Sequence, residues 1–332
     1  NEKGVLVMPL TLTISNDGQG DFRSLQAAVD SIPEHNQSHI CLLLKSGVHR
    51  EKVILNRDCV ELIGEDGAVL VYGDCAVDRL EDGSARGAFL TATLLVTGRD
   101  VCLRNLTIQN DAELRCEAGA AIALYAAGDR LTCYHCRLLG AHNTLYCGPM
   151  LWRLARHCLP HLVPLGVENA VDRPPVNARQ HYADCYLQGE VDCIFGPYRC
   201  WFERCTLHAR KGGGCFTAAS TPEGQPYGFV FHTCKLEGDC ARAEMYLGHP
   251  WREHAAVAFL ECEMDACIHP LGFCNGIEPF QNVTRRLCEF GSTGAGADTN
   301  ARHPDMKLIR REEACRYTPK AVFGGRDGWL PS

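Results

Sequence analysis

Two short segments of this sequence combine residues that can do chemistry. The first reads Leu187-Gln-Gly-Glu-Val-Asp192-Cys-Ile-Phe-Gly196 and places one carboxylate among apolar residues at the exit of a strand-like stretch. The second reads Tyr246-Leu-Gly-His-Pro-Trp251-Arg252 and supplies an imidazole, an indole and a guanidinium. Asp192 is therefore the first candidate for a chemical role. Whether it can take that role depends on the elements that position it.

A six-residue pattern recurs along the chain and predicts those elements. It consists of an apolar residue, any residue, a polar residue, Cys or Leu, any residue and an apolar residue. The six copies are Leu103-Arg-Asn-Leu106-Thr-Ile108, Cys133-Tyr-His-Cys136-Arg-Leu138, Tyr182-Ala-Asp-Cys185-Tyr-Leu187, Phe202-Glu-Arg-Cys205-Thr-Leu207, Phe231-His-Thr-Cys234-Lys-Leu236 and Phe259-Leu-Glu-Cys262-Glu-Met264. They follow one another at about 20 to 30 residues, apart from one longer interval between Cys136 and Cys185.

Short strands at this period, with few long helical patterns and few hairpin turns, are typical of a parallel β-helix. Equivalent positions of successive repeats then stack, so the fourth position of the pattern is expected to form one internal column. The long interval holds an insertion, residues 147–180, which is expected to form a loop beside the binding face. Residues 22–32 show an apolar stripe of helical period and predict a helix that caps the first coil.

The chain is expected to form one domain over residues 8–332, in which residues 275–332 make a tail packed along the outside of the β-helix. Residues 1–7 precede a methionine that resembles a natural start and are expected to be an addition to it. A composition of 46% hydrophobic and 22% charged residues is typical of a globular protein. A net charge of −7 gives no reason to expect nucleic acid or a membrane as a partner.

Cysteine is abundant, with 21 residues, and most lie in apolar or alternating segments. This placement favours reduced, buried thiols that pack as small apolar side chains. No stretch approaches the ~20 apolar residues of a membrane span. The thiols and the absence of a leader-like pattern predict a cytoplasmic location, with secretion after removal of a signal as the alternative. No cofactor is expected.

The two opening segments and several others, in order, resemble those of the pectin methylesterases, also called pectinesterases. The resemblance covers most of the chain and includes Gly18-Gln-Gly-Asp-Phe22, Lys45-Ser-Gly-Val-His-Arg50, Gly128-Asp-Arg-Leu-Thr-Cys-Tyr-His-Cys136, Arg179-Gln-His-Tyr-Ala-Asp-Cys-Tyr186 and Glu289-Phe-Gly-Ser-Thr-Gly-Ala-Gly296. It implies an all-β fold, a right-handed parallel β-helix. It also implies a carbohydrate esterase that acts on methyl esters of galacturonate, with a pectin-derived or other uronate saccharide as partner and a monomeric state.

In that family one aspartate attacks the ester carbonyl, a second protonates the departing methanol, and glutamine amides stabilise the oxyanion. Asp192 matches the nucleophile, which works only if it is fixed and ionised beside hydrogen-bond donors. Trp251 matches the aromatic residue that packs on the sugar, and Arg252 follows it as a further substrate-binding candidate.

Four positions depart from the family pattern. Asn143 replaces the acidic aspartate and has no proton to give at neutral pH. His142 replaces one oxyanion glutamine and can act as a donor or as the acid. Ala120 replaces the other glutamine, and His249 replaces the arginine that steadies the nucleophile.

Three interpretations follow from these substitutions. The chain is a diverged esterase that uses Asp192 with His142 and His249 in revised roles, or an inactive protein that still binds uronate saccharides. In the third, two histidines and a carboxylate form a metal site. The three are ranked in this order, with the first modestly ahead of the second. The metal site comes last, because imidazoles beside carboxylates are more often simple hydrogen-bond partners than metal ligands.

Overall fold

Short parallel strands wind into successive coils in the computed structural model of the chain. The structure describes residues 10–112, 119–151, 178–274, 286–325 and 327–331. Strands that neighbour one another in a sheet come from successive coils, and the strand pairs are parallel. The chain is therefore a right-handed parallel β-helix, as its repeat and its family resemblance predict.

The elements follow in chain order. The first part contains β1 (Leu10–Ile14), α1 (Leu25–Ser31), β2 (Ile40–Leu44), β3 (Gly47–Arg50), β4 (Val53–Leu55), β5 (Val60–Gly64), β6 (Ala68–Tyr72), β7 (Leu94–Val96), β8 (Cys102–Arg104), β9 (Thr107–Asn110), β10 (Leu124–Ala126), β11 (Leu131–Tyr134), β12 (Arg137–Leu139) and β13 (Leu145–Cys147). The second part contains β14 (Arg179–Ala183), β15 (Tyr186–Gly189), β16 (Ile194–Gly196), β17 (Arg199–Glu203), β18 (Thr206–Ala209), β19 (Gly214–Ala219), β20 (Phe229–His232), β21 (Lys235–Gly238), β22 (Met245–Pro250), β23 (Ala256–Leu260), β24 (Glu263–Met264), β25 (Arg286–Phe290), β26 (Met306–Leu308), α2 (Arg311–Ala314) and α3 (Pro319–Phe323).

These strands form three sheets around one interior. Sheet A has the order β1-β2-β5-β8-β11-β14-β17-β20-β23-β25-β26, sheet B the order β3-β6-β9-β12-β15-β18-β21-β24, and sheet C the order β4-β7-β10-β13-β16-β19-β22. Alternate residues of each strand point inward, and side chains at equivalent positions of successive coils stack on one another. In sheet A, for example, the rings of Tyr182, Phe202, Phe231 and Phe259 are stacked with centroids 4.6 Å apart.

The predicted internal column is confirmed. Leu106, Cys136, Cys185, Cys205, Cys234 and Cys262 are all buried at the corner between sheets A and B. The residue after each column member donates its backbone N–H to the preceding member's carbonyl. For example, Thr206 donates to Cys185 at 2.8 Å and Lys235 to Cys205 at 2.8 Å.

The turn at this corner has a backbone conformation that sequence reasoning missed. The residue immediately before each column member has a positive φ, between 50° and 54°, although none of the six is glycine. These residues are Asn105, His135, Asp184, Arg204, Thr233 and Glu261. A single left-handed residue of this kind turns the chain sharply from one sheet into the next. The sharp corner therefore depends on the repeated turn rather than on glycine.

Both ends of the β-helix carry additional elements. At the first coil, the Ser24 hydroxyl accepts from the Ala27 N–H at 3.2 Å and begins α1, whose Leu25 and Val29 are fully buried in the main core. At the other end, β25 and β26 extend sheet A. The helix α3 then packs Val322 and Phe323 on the outer face of that sheet.

Parts of the predicted domain organisation lie outside the described residues, namely residues 1–7, most of the insertion and the start of the tail. The interval between β13 and β14 spans residues 148–178, because Cys147 and residues 179–180 belong to strands. Within the described ranges, no helix is both long enough and apolar enough to cross a membrane.

Candidate active site

The corner between sheets B and C brings together the candidate residues of three coils. Ala120 precedes β10, Asn143 precedes β13 and Asp192 precedes β16. Backbone hydrogen bonds link these coils: Ala121 N–H donates to the His142 carbonyl at 3.1 Å, and Asn143 N–H to the Val191 carbonyl at 2.9 Å. The segments around Ala120, Asn143 and Asp192 therefore stack in consecutive coils.

Asp192 is held by two side chains from the next coils. Nε2 of His249, in β22, lies 2.8 Å from Oδ1 of Asp192, and the thiol of Cys215, in β19, donates to the same oxygen at 3.0 Å. In the described part of the chain, Oδ2 has no hydrogen-bond donor. The Asp192 side chain is 26% exposed. Two donors thus fix Oδ1, and Oδ2 is the oxygen left for a reaction.

Asp192 and His249 shift each other's pKa in favour of the charged forms. Burial alone would raise the pKa of Asp192, but the hydrogen bonds from His249 and Cys215 outweigh it and hold the pKa below its ordinary value. Burial alone would lower the pKa of His249, but the hydrogen bond to Asp192 raises it above the ordinary value. The geometry therefore favours a carboxylate paired with an imidazolium.

This coupling gives a testable titration. In the wild-type protein, NMR of the histidine ring protons is expected to show the His249 pKa above ~6.5, the ordinary value. An Asp192→Asn variant removes the negative charge, so the His249 pKa is expected to fall. Because the folded-state pKa of His249 is raised, its share of stability is full below the ordinary value and is lost as pH rises through the raised pKa. An identical His249 pKa in both proteins would contradict the pairing.

His142 does not contact Asp192 directly. Its Nε2 lies 3.5 Å from Oε2 of Glu190, whose other oxygen lies 3.3 Å from Nε of Arg210. The backbone of His142 pairs with that of Val191, next to Asp192. The backbone of His142 therefore lies beside the Asp192 segment, while its imidazole has its own carboxylate partner.

Asn143 and Ala120 offer different chemistry at the same corner. Asn143 is half-buried and has a left-handed backbone with φ of 60°, like Asp192 with φ of 50°. Its side-chain amide is a hydrogen-bond donor. The side chain of Ala120 has no donor. Of these two positions, only Asn143 therefore supplies a side-chain amide.

Trp251 directly follows β22, and its ring centroid lies 5.9 Å from that of Phe195, which belongs to β16. The guanidinium carbon of Arg252 lies 4.9 Å from the centre of the Trp251 ring. Trp251 is half-buried and Arg252 is exposed. Phe195 lies in the strand that the Asp192 turn leads into, so the indole packs on the same coil that carries the carboxylate.

Cys215 is the residue that sequence reasoning missed. It follows Gly212-Gly213-Gly214 in a strand-like segment, and nothing in that pattern distinguishes it from the other apolar cysteines. Burial and the negative charge of Asp192 raise its pKa well above the ordinary value, so it remains a thiol donor. Cys193, the immediate neighbour of Asp192, is fully buried in the interior, as strand alternation predicts.

This fold and this corner define a class of protein. Residues 11–151 and 175–326 match the family model described as Pectinesterase, and the chain therefore belongs to the pectinesterase family. It is 29% identical to pectinesterase 31 of Arabidopsis thaliana over 314 residues, which cover 92% of this chain and 89% of that protein.

Solved structures show the same fold. A pectin methylesterase from carrot superposes with a TM-score of 0.79 at 24% identity, covering 99% of this chain and 97% of the carrot chain. A mutant pectin methylesterase in complex with a hexasaccharide also superposes with a TM-score of 0.79 at 24% identity, covering 98% of this chain and all of that one.

Proposed function

We propose that this protein hydrolyses methyl esters of galacturonate in pectin-derived saccharides, with Asp192 as the nucleophile. The observation that carries the proposal is the Asp192 carboxylate, whose Oδ1 accepts from His249 and Cys215 while Oδ2 accepts no hydrogen bond from the described residues. A fixed, ionised carboxylate with one free oxygen meets the requirement of covalent catalysis. Membership of the pectinesterase family supports the same reaction.

In the proposed reaction, Oδ2 of Asp192 attacks the ester carbonyl and forms a tetrahedral oxyanion. The oxyanion collapses to an anhydride between Asp192 and galacturonate, and the departing methoxide takes a proton and leaves as methanol. Water then attacks the anhydride, loses a proton, and releases the galacturonate carboxylate and Asp192. The atoms balance as one ester and one water giving methanol, a carboxylate and a proton.

We assign the proton transfers to His142 and the positioning of the nucleophile to His249. The His142 backbone pairs with the Asp192 segment, and its Nε2 lies 3.5 Å from Oε2 of Glu190. An imidazole at this place can protonate methoxide and later accept a proton from water. His249 is already engaged with Oδ1 of Asp192. It therefore acts on the reaction through the carboxylate.

The oxyanion has fewer donors than in the family pattern. Asn143 offers its amide N–H, whereas Ala120 offers no side-chain donor. Loss of one oxyanion donor typically lowers the rate by about 100 to 1000-fold. We therefore expect slower turnover than in a relative that carries both glutamines.

A negatively charged saccharide needs local positive charge on a chain whose net charge is −7. Arg210 and Lys211 lie in the turn between β18 and β19, where Arg210 contacts Glu190, and Arg252 lies over the Trp251 ring. The hexasaccharide in the matched solved structure supports an oligosaccharide as the ligand class. A monomeric state and a cytoplasmic location stay predictions.

A binding protein without turnover is the second candidate. The observation that favours it is the pair of substitutions at Ala120 and Asn143, which remove a donor and the acidic proton from the same corner. Such a protein keeps Trp251 and Arg252 as saccharide-binding residues but releases no product.

The two candidates are separated by one experiment. Purified protein is incubated with methyl-esterified and, separately, acetylated oligogalacturonides in chelator-containing buffer, and methanol and acetate are quantified while calorimetry records binding. The proposal predicts methanol release over many turnovers. Binding of the esterified saccharide without any methanol would replace the esterase with the binding protein, and acetate release alone would change the ester that is cleaved.

A further inference from the structure

Three side chains of different chemistry converge at the Asp192 corner. Nε2 of His249 and Sγ of Cys215 lie 2.8 Å and 3.0 Å from the same Oδ1 of Asp192. The three candidate ligand atoms all lie within 4.8 Å of one another. A carboxylate oxygen, an imidazole nitrogen and a thiolate sulfur are ligands that zinc takes in proteins.

The spacing suits a small tetrahedral ion after a minor adjustment. Zinc bonds of ~2.0–2.3 Å to these atoms require ligand atoms about 3.4–3.6 Å apart. The two observed separations from Oδ1 are shorter than this by about half an ångström, so the Asp192 side chain must rotate to open the site. The third pair, Nε2 of His249 and Sγ of Cys215, lies within 4.8 Å and needs its own side-chain adjustment to reach the same spacing.

The surroundings of the three ligands resemble those of a zinc site with an open position. Nδ1 of His249 lies 3.4 Å from the Pro250 carbonyl, so a backbone acceptor can hold the Nδ1 proton and leave Nε2 for a metal. Cys215 is buried, whereas the Asp192 side chain is 26% exposed. Three protein ligands with a fourth position open to solvent is the arrangement of reactive zinc sites.

We propose that Asp192, Cys215 and His249 form a zinc-binding site and that zinc inhibits the esterase by occupying its nucleophile. Zn²⁺ takes the place of the thiol proton of Cys215 and of a proton on Nε2 of His249, and both protons pass to solvent without any redox change. The binding site stands on the geometry alone, and the inhibition rests on the proposed function. His142 lies against Glu190 and is not a ligand, which corrects the two-histidine arrangement considered from the sequence.

Cobalt spectroscopy tests the site without reference to activity. One equivalent of Co²⁺ added to the wild-type protein is expected to give the visible bands of a tetrahedral site and a sulfur-to-metal charge-transfer band. Cys215→Ser keeps a donor to Asp192 but removes the sulfur, so the charge-transfer band is expected to vanish. Cys315→Ser, which changes an exposed cysteine in the C-terminal tail, is the control and should keep it. A charge-transfer band that survives in Cys215→Ser, or that is absent from the wild-type protein, would overturn the proposal.

Zinc calorimetry and activity complete the test. Cys215→Ser and His249→Gln are each expected to weaken zinc affinity by about 100-fold or more, with both variants checked for wild-type melting behaviour. Methanol release by the wild-type protein is expected to fall as zinc is added, and release by Cys215→Ser to require at least tenfold more zinc for the same loss. If no methanol is released in chelator, the proposed function fails while the cobalt bands still report the site. Release that zinc leaves unchanged at saturation would overturn the inhibition.

Discussion

Replacing Asp192 with asparagine is expected to lower the rate of methanol release by at least about a thousandfold. The amide preserves the shape of the side chain and can still accept from His249, but its oxygen is a far poorer nucleophile than a carboxylate. Saccharide binding is expected to stay within about threefold of wild type, because Trp251 and Arg252 are unchanged. Steady-state methanol assays and calorimetry measure the two effects separately.

Asp66→Asn is the matched control, since Asp66 is exposed in the turn between β5 and β6. It should release methanol at the wild-type rate. Retention of a tenth or more of the wild-type rate in a correctly folded Asp192→Asn protein would show that another group attacks the ester.

The second large effect concerns stability. Arg302 and Glu289 form an ion pair whose side chains are only 2% and 1% exposed, with Nε of Arg302 donating to Oε2 of Glu289 at 2.9 Å. Arg302 also donates to the carbonyls of Gly296 and Pro270, at 2.8 Å and 3.0 Å. Arg302→Met leaves a buried carboxylate without its partner, and the free energy of unfolding is expected to fall by about 3–5 kcal/mol. Urea denaturation at neutral pH measures this loss.

Two further variants identify the cause. Arg204→Met breaks an exposed pair with Asp184, in which the arginine side chain is 54% exposed, and is expected to cost less than about 1 kcal/mol. Adding Glu289→Gln to Arg302→Met removes the orphaned charge and is expected to recover about half of the loss. If Arg302→Met costs no more than Arg204→Met, the buried pair does not stabilise the end of the β-helix.

The sequence predicts the fold well because the repeat has a physical basis. In a parallel coil, equivalent residues stack one strand spacing apart, so Cys136, Cys185 and Cys205 must share a column once their spacing marks successive coils. The corner turn is a different case. Residues as unlike as Thr233 and Arg204 adopt the same left-handed φ, and no residue preference indicates it.

The candidate site is only partly predictable for a similar reason. The pairing of Asp192 with His249 follows from a match to known motifs. Cys215 contacts Asp192 because β19 stacks directly on β16. The sequence of neither strand indicates such a contact between stacked coils. The sequence also did not reveal the partner of His142, because Glu190 belongs to the neighbouring coil.

Trapping of the proposed anhydride tests the central claim, covalent catalysis by Asp192, most directly. The protein turns over methyl-esterified oligogalacturonide in the presence of hydroxylamine, and the peptide that carries Asp192 is then analysed by mass spectrometry. Hydroxylamine cleaves an anhydride at either carbonyl, so the account predicts hydroxamate on Asp192 and on the released uronate, with neither product formed by Asp192→Asn. Sustained methanol release with an unmodified Asp192 peptide and no uronate hydroxamate would contradict it.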